Sequence, residues 1–171
     1  MKLSSSTAGT FAIAPTPFHD DGRIDLPSID RMTDHYLAAG CTGSTVLGLM
    51  GEAPKLDHQE AIEVAASMIK RAAPAPIIVG VSAPGFAAMR ALARSVMEAG
   101  AAGVMIAPVP SLRTDEQIVG YFRQAVEAIG ADIPWVLQDY PLTLTVQMTS
   151  GVIRRIITYL RTARPTPCCC S

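Results

Sequence analysis

Five short apolar runs begin near residues 11, 44, 76, 103 and 134, and a helix-length amphipathic stretch follows each of them. This repeat, about thirty residues long, constrains the fold more than any other feature of the chain. Pro76-Ile77-Ile78-Val79-Gly80-Val81-Ser82 is the clearest of the runs. It is β-branched and continuously apolar, as expected of a strand buried on both faces. Alternating strands and helices with such strands imply a parallel sheet covered by helices.

The punctuation supports the same division. Gly9 to Pro15 reads as the first strand, closed by Pro15 and Pro17, and Ser44 to Leu47 as the second. Gly103 to Ala107 and Ile133 to Gln138 read as the fourth and fifth. Asp25 is placed to cap the first helix, with Pro27 close to its first position, where a missing N–H costs nothing. Its apolar stripe is Ile29, Met32, Tyr36 and Leu37. Asp57 with Glu60 three residues on is a capping-box pattern that predicts a second helix to about Ala73. Ile62, Ala65, Ala66 and Ile69 form its expected inner face. The third helix, Pro84 to Ala99, carries Met89, Leu92, Ala93, Val96 and Met97. Acids after Thr114 open a fourth, and Thr149 or Ser150 caps a fifth whose inner face is Ile153, Ile156, Ile157 and Leu160.

Two architectures accommodate this pattern. A doubly wound open sheet that binds a dinucleotide needs a glycine fingerprint after its first strand. Here that strand ends in Pro15-Thr16-Pro17-Phe18 instead. Polar and glycine-rich features after every strand fit a (β/α)8 barrel, whose functional loops all lie at one end. Val46-Leu47-Gly48-Leu49-Met50-Gly51-Glu52 joins strand to helix through glycines. Such a turn offers free backbone N–H groups to a carboxylate or phosphate.

The balance of charge excludes some partners. Fourteen basic against 15 acidic residues leave no electrostatic footprint for nucleic acid. No apolar run approaches the ~20 residues a bilayer span needs. The stretch from Met1 to Thr10 lacks a signal peptide's apolar segment, so a cytoplasmic location is expected. Cys41 stands alone, and Cys168, Cys169 and Cys170 are consecutive, which suits neither a disulfide framework nor a metal site. No metal and no cofactor are expected.

The motifs Pro15-Thr16-Pro17-Phe18, Gly48-x-x-Gly51-Glu52 and Gly100-x-x-Gly103-Val104 resemble those of the dihydrodipicolinate synthase / N-acetylneuraminate lyase family. The spacing agrees from about Phe11 to Leu160. The resemblance implies a TIM barrel, here an incomplete one of about five βα units. It also implies lyase chemistry on a small 2-keto acid, pyruvate or a 2-keto-3-deoxy sugar acid, held as a Schiff base on a lysine. Leu49, Met50 and Gly51 fall where the family binds the substrate carboxylate. Gln138 falls where it commonly has a tyrosine active in proton transfer, and an amide cannot titrate near neutral pH. Tyr140, on the same strand face by alternation, is the candidate substitute, set against simple packing beside Pro141. Leu49 and Met50 stand where the family commonly has hydroxyl residues, and Val109-Pro110 where synthases carry aromatics. These departures favour a relative acting on 2-keto-3-deoxy sugar acids over a true synthase. A homo-oligomer is implied for a full-length relative.

The family's lysine belongs to a sixth strand. The chain's lysines are Lys2, Lys55 and Lys70, none on a strand. A complete barrel typically needs roughly 250 residues against the 171 here. The sequence therefore divides into barrel, 1–160, and an irregular tail, 161–171, of the kind a shifted reading frame produces. A truncated or catalytically inactive product, or a small anion-binding α/β domain, is the alternative expectation. Inward side chains are expected at Ile13, Val79, Ile106 or Met105, and Val136.

Overall fold

The computed structural model describes residues 2–130, 132–163 and 169–170. Strands β1 (Phe11–Ile13), β2 (Gly43–Val46), β3 (Ile77–Gly80), β4 (Gly103–Ile106) and β5 (Trp135–Leu137) form one sheet in sequence order. Every neighbouring pair is parallel. Helices α1 (Leu26–Ala38), α2 (His58–Ala72), α3 (Phe86–Glu98) and α4 (Asp115–Ile129) make the crossovers. A short α5 (Pro141–Leu144) and a longer α6 (Ser150–Ala163) follow β5. Consecutive strand order decides between the two architectures. A doubly wound sheet reverses its order at a switch point. Without a reversal, crossovers of one hand carry every helix to the same face, as in a barrel.

The predicted caps are present. Asp25 accepts the Ser28 N–H, and the Asp57–Glu60 capping box is complete. Thr114 and Gln117 form a second box that opens α4. Helix α2 is rotated slightly from expectation: Ala61, Val64, Ala65, Met68, Ile69 and Ala72 are buried, and Ile62 and Ala66 only partly so. Small residues all round that helix left its phase poorly marked. In α6 Val152 and Ile156 are buried and Ile153 is partly so, while the side chain of Leu160 lies outside the described residues.

Helix α6 continues through Ala163, and Cys169–Cys170 pairs in parallel with β5 as a two-residue β6. A backbone edge accepts any extended segment that satisfies its N–H and C=O groups.

The sheet separates two apolar layers. Val46, Val79, Val104, Ile106, Trp135 and Leu137 pack outward with the helices in the main core. Ile78, Met105 and Val136 lie in a smaller inner cluster with Ala102, Leu3 and the partly buried Phe11. Val79 and Ile106 therefore face the helices and not the interior as expected, whereas Met105 and Val136 do face inward. In a strand buried on both faces, hydropathy does not alternate and cannot reveal which parity is which.

Candidate functional site

Because all strands run the same way, the loops after them share one end of the sheet. The segment after β1 carries Thr16 and a short Phe18–Ile24 bridge. The segment after β2 holds two 3-10 turns, Leu49–Gly51 and Ala53–Lys55. After β3 comes Ser82, whose Oγ accepts the Ala107 N–H at 2.8 Å from the exit of β4. After β5 come Gln138, Asp139 and Tyr140.

The β2–α2 turn is the most constrained of these. Leu47 and Glu52, at its two ends, have φ of 57° and 53°. Left-handed backbone at residues other than glycine costs about 1–3 kcal/mol each and clusters at functional sites. The bend at Leu47 swings its carbonyl over β3. A Cβ on Gly80 would stand 2.0 Å from that oxygen, so only glycine fits there. At the head of the turn, a Cβ on Gly48 would lie 3.2 Å from Met105 Cε and 3.7 Å from Ile13 Cγ2. The turn thus overhangs the rim of the inner face, and Ile13 below it is 38% exposed.

Of the three residues expected at the carboxylate, Gly51 spends its N–H on the Gly48 carbonyl at 3.0 Å, which closes the turn. Leu49 and Met50 precede that bond, and among the described residues their N–H groups have no protein acceptor. Met50 is 61% exposed. The opposite side of the turn is fixed by the Thr16 hydroxyl, which donates to the Gly51 carbonyl at 2.7 Å. No sequence signal assigned Thr16 this role, although its place between two prolines marks a rigid segment.

Gln138 is half-buried, and its N–H bonds the Ile106 carbonyl at 2.9 Å. Tyr140 lies beyond the end of β5, immediately before α5, and is exposed. Strand alternation does not extend to it. Lys55 is ion-paired with Glu52, with most of its side chain in water, and Lys70 is exposed on α2.

In the segment after β1, hydrogen bonds from Arg23 and Ser28 hold the Asp21 and Asp25 carboxyls below the usual range. Burial pushes the Tyr121 phenol up to about 12. Its O–H reaches the Ala83 carbonyl at 3.4 Å, and its ring packs edge-on to Phe122. The Arg71 guanidinium bonded to Asp34 holds that carboxyl below the usual range. These two line a groove of about 740 Å³ between α1 and α2, with Asp30, Glu63, Ser67 and Lys70. It lies on the helix side, away from the rim. Among the described residues no group of His, Cys, Asp or Glu could hold a metal ion, and no helix is long and apolar enough to cross a membrane.

The family model of the dihydrodipicolinate synthetase family matches residues 6–162. A 4-hydroxy-tetrahydrodipicolinate synthase from an Acidovorax species is 30% identical over 155 residues, covering 90% of this chain and 52% of that protein. The chain spans about half the length of the curated relatives it matches. Among solved structures, a dihydrodipicolinate synthase from Rhodopseudomonas palustris is 61% identical with a TM-score of 0.88. That likeness covers 99% of this chain and 65% of the other. The Escherichia coli prophage protein YagE, solved with pyruvate, shares the fold with a TM-score of 0.77 at 23% identity, over 91% of this chain and 52% of its own. These neighbours are TIM barrels, and the five parallel βα units correspond to an incomplete one.

Proposed function

Because the chain belongs to the dihydrodipicolinate synthetase family, we propose that it carries the carboxylate-binding part of a lyase acting on a 2-keto acid. The family match over 6–162 is the observation that carries this reading. The Leu49 and Met50 N–H groups bind the carboxylate, and Gly51 shapes the turn that presents them. Pyruvate, bound in YagE, is the smallest ligand of this class. A longer 2-keto-3-deoxy sugar acid places its chain along the rim toward Gln138. There the Gln138 amide hydrogen-bonds the substrate without exchanging a proton with it. Tyr140 is a lesser candidate for proton transfer, since it would have to turn inward from an exposed position.

The chemistry itself needs an amine. A lysine that condenses with the keto carbon forms an iminium, and the iminium accepts the electrons of the bond that breaks beside it. Lys55 is ion-paired with Glu52 and exposed, whereas a Schiff-base lysine is activated by an apolar, desolvated pocket. In this reading the Schiff-base lysine is not among Lys2, Lys55 and Lys70, and the chain alone is inactive. Uniform binding of a carboxylate does not lower the chemical barrier.

Borohydride reduction with pyruvate, read by intact mass, tests the second half of the proposal. The expected result is no adduct, and a stoichiometric adduct on Lys55 or Lys70 would reverse it. Amide NMR during a pyruvate titration tests the first half. Leu49 and Met50 should shift first, and shifts confined to other loops would reject the carboxylate site.

A further inference from the structure

We infer that Thr16 is a positioning residue for substrate binding: its hydroxyl, donating to the Gly51 carbonyl, holds the β2–α2 turn in the form that presents the Leu49 and Met50 amides. This rests on the carboxylate site proposed above and deepens it.

Within itself the turn is weakly held. Its internal bonds are Gly51 N–H to Gly48 at 3.0 Å and Glu52 N–H to Leu49 at 3.4 Å. Both ends are left-handed at residues that carry side chains, a conformation that persists only when the surroundings impose it. The 2.7 Å bond from Thr16 ties the turn to the exit of β1, across 35 residues of sequence. The donor is well prepared for this. Thr16 is 5% exposed, so water does not compete for the hydroxyl. Pro15 fixes the backbone before it, and Pro17 keeps Thr16 itself out of the helical region. The two segments are in contact here, since a Cβ on Gly51 would lie 3.4 Å from the Ala14 carbonyl and 3.7 Å from Thr16 Oγ1. Removal of the hydroxyl would leave a buried carbonyl without its donor, and the turn would move to find another.

The test compares the unsubstituted chain with Thr16→Val, which keeps the shape, and Thr16→Ser, which keeps the donor. Pyruvate is titrated into each while the Leu49 and Met50 amides are followed by NMR. Thr16→Val should weaken pyruvate binding about tenfold, as expected for the loss of one buried hydrogen bond. Thr16→Ser should restore it. Should the valine variant not fold, Thr16→Ala compared with Thr16→Ser gives the same contrast. Shifts at Leu49 and Met50 in the unsubstituted chain with equal affinity in Thr16→Val would overturn the role of Thr16 alone. Equal weakening by Val and Ser would also overturn it, since shape and not the donor would then matter. Absence of those shifts in the unsubstituted chain would overturn the carboxylate site and the role of Thr16 together.

Discussion

The two faces of the sheet are built from the same strands and differ in how they are covered. Outward, Val79, Val104 and Ile106 are wholly buried under four crossover helices and α6, in a core that Phe122 and Trp135 fill with aromatic contacts. Inward, among the described residues, Leu3 of the N-terminal segment covers the foot of the strands. Leu3 donates its N–H to the Ala102 carbonyl at 2.8 Å and lays its side chain over Gly103, where a Cβ would come within 2.6 Å. Toward the rim Ile13, on the edge strand β1, is 38% exposed, while Thr45 beside it in register is 3% exposed. The helix layer completes its own core locally, unit by unit. The inner layer of a barrel is shared by strands from all round the ring.

The largest effect expected from this contrast is on the outer side. Phe122→Ala should cost about 3–5 kcal/mol in denaturant unfolding, because the void sits between packed rings and cannot collapse. A cost under about 1 kcal/mol would show that the helix layer is not the core. On the inner side Leu3→Ala should cost about 2 kcal/mol and Ile13→Ala about 1 kcal/mol, since Leu3 is 6% exposed and Ile13 is 38% exposed. The reverse ranking would place the inner core at the rim and not at the foot.

A pH titration sharpens the outer half of the comparison. The neutral Tyr121 phenol is favoured by burial, so its folded-state pKa is raised to about 12 from an ordinary 10.0. The stability this represents is present below pH 10 and is lost as the pH rises toward 12. The loss should amount to roughly 2 kcal/mol, and Tyr121→Phe should remove it. An unchanged high-pH limb in Tyr121→Phe would assign the effect to another group.

What the sequence by itself determined is local. Strand and helix alternation, the start of α1, and the Asp57–Glu60 box follow from periodicity and from side chains bonding backbone three residues away. The turn at Leu49 to Gly51 was legible from its glycines. The short α5 was not, because four residues carry no period. Tertiary structure alone decided which parity of β3, β4 and β5 faces inward, since the residues of those strands are apolar. It also decided that Gly51 spends its N–H on Gly48, and that Thr16, in the segment after β1, meets Gly51. Leu3 reaching Gly103 is the same case, a contact across a hundred residues. These are meetings between distant segments, and hydropathy along the chain encodes burial without encoding the partner.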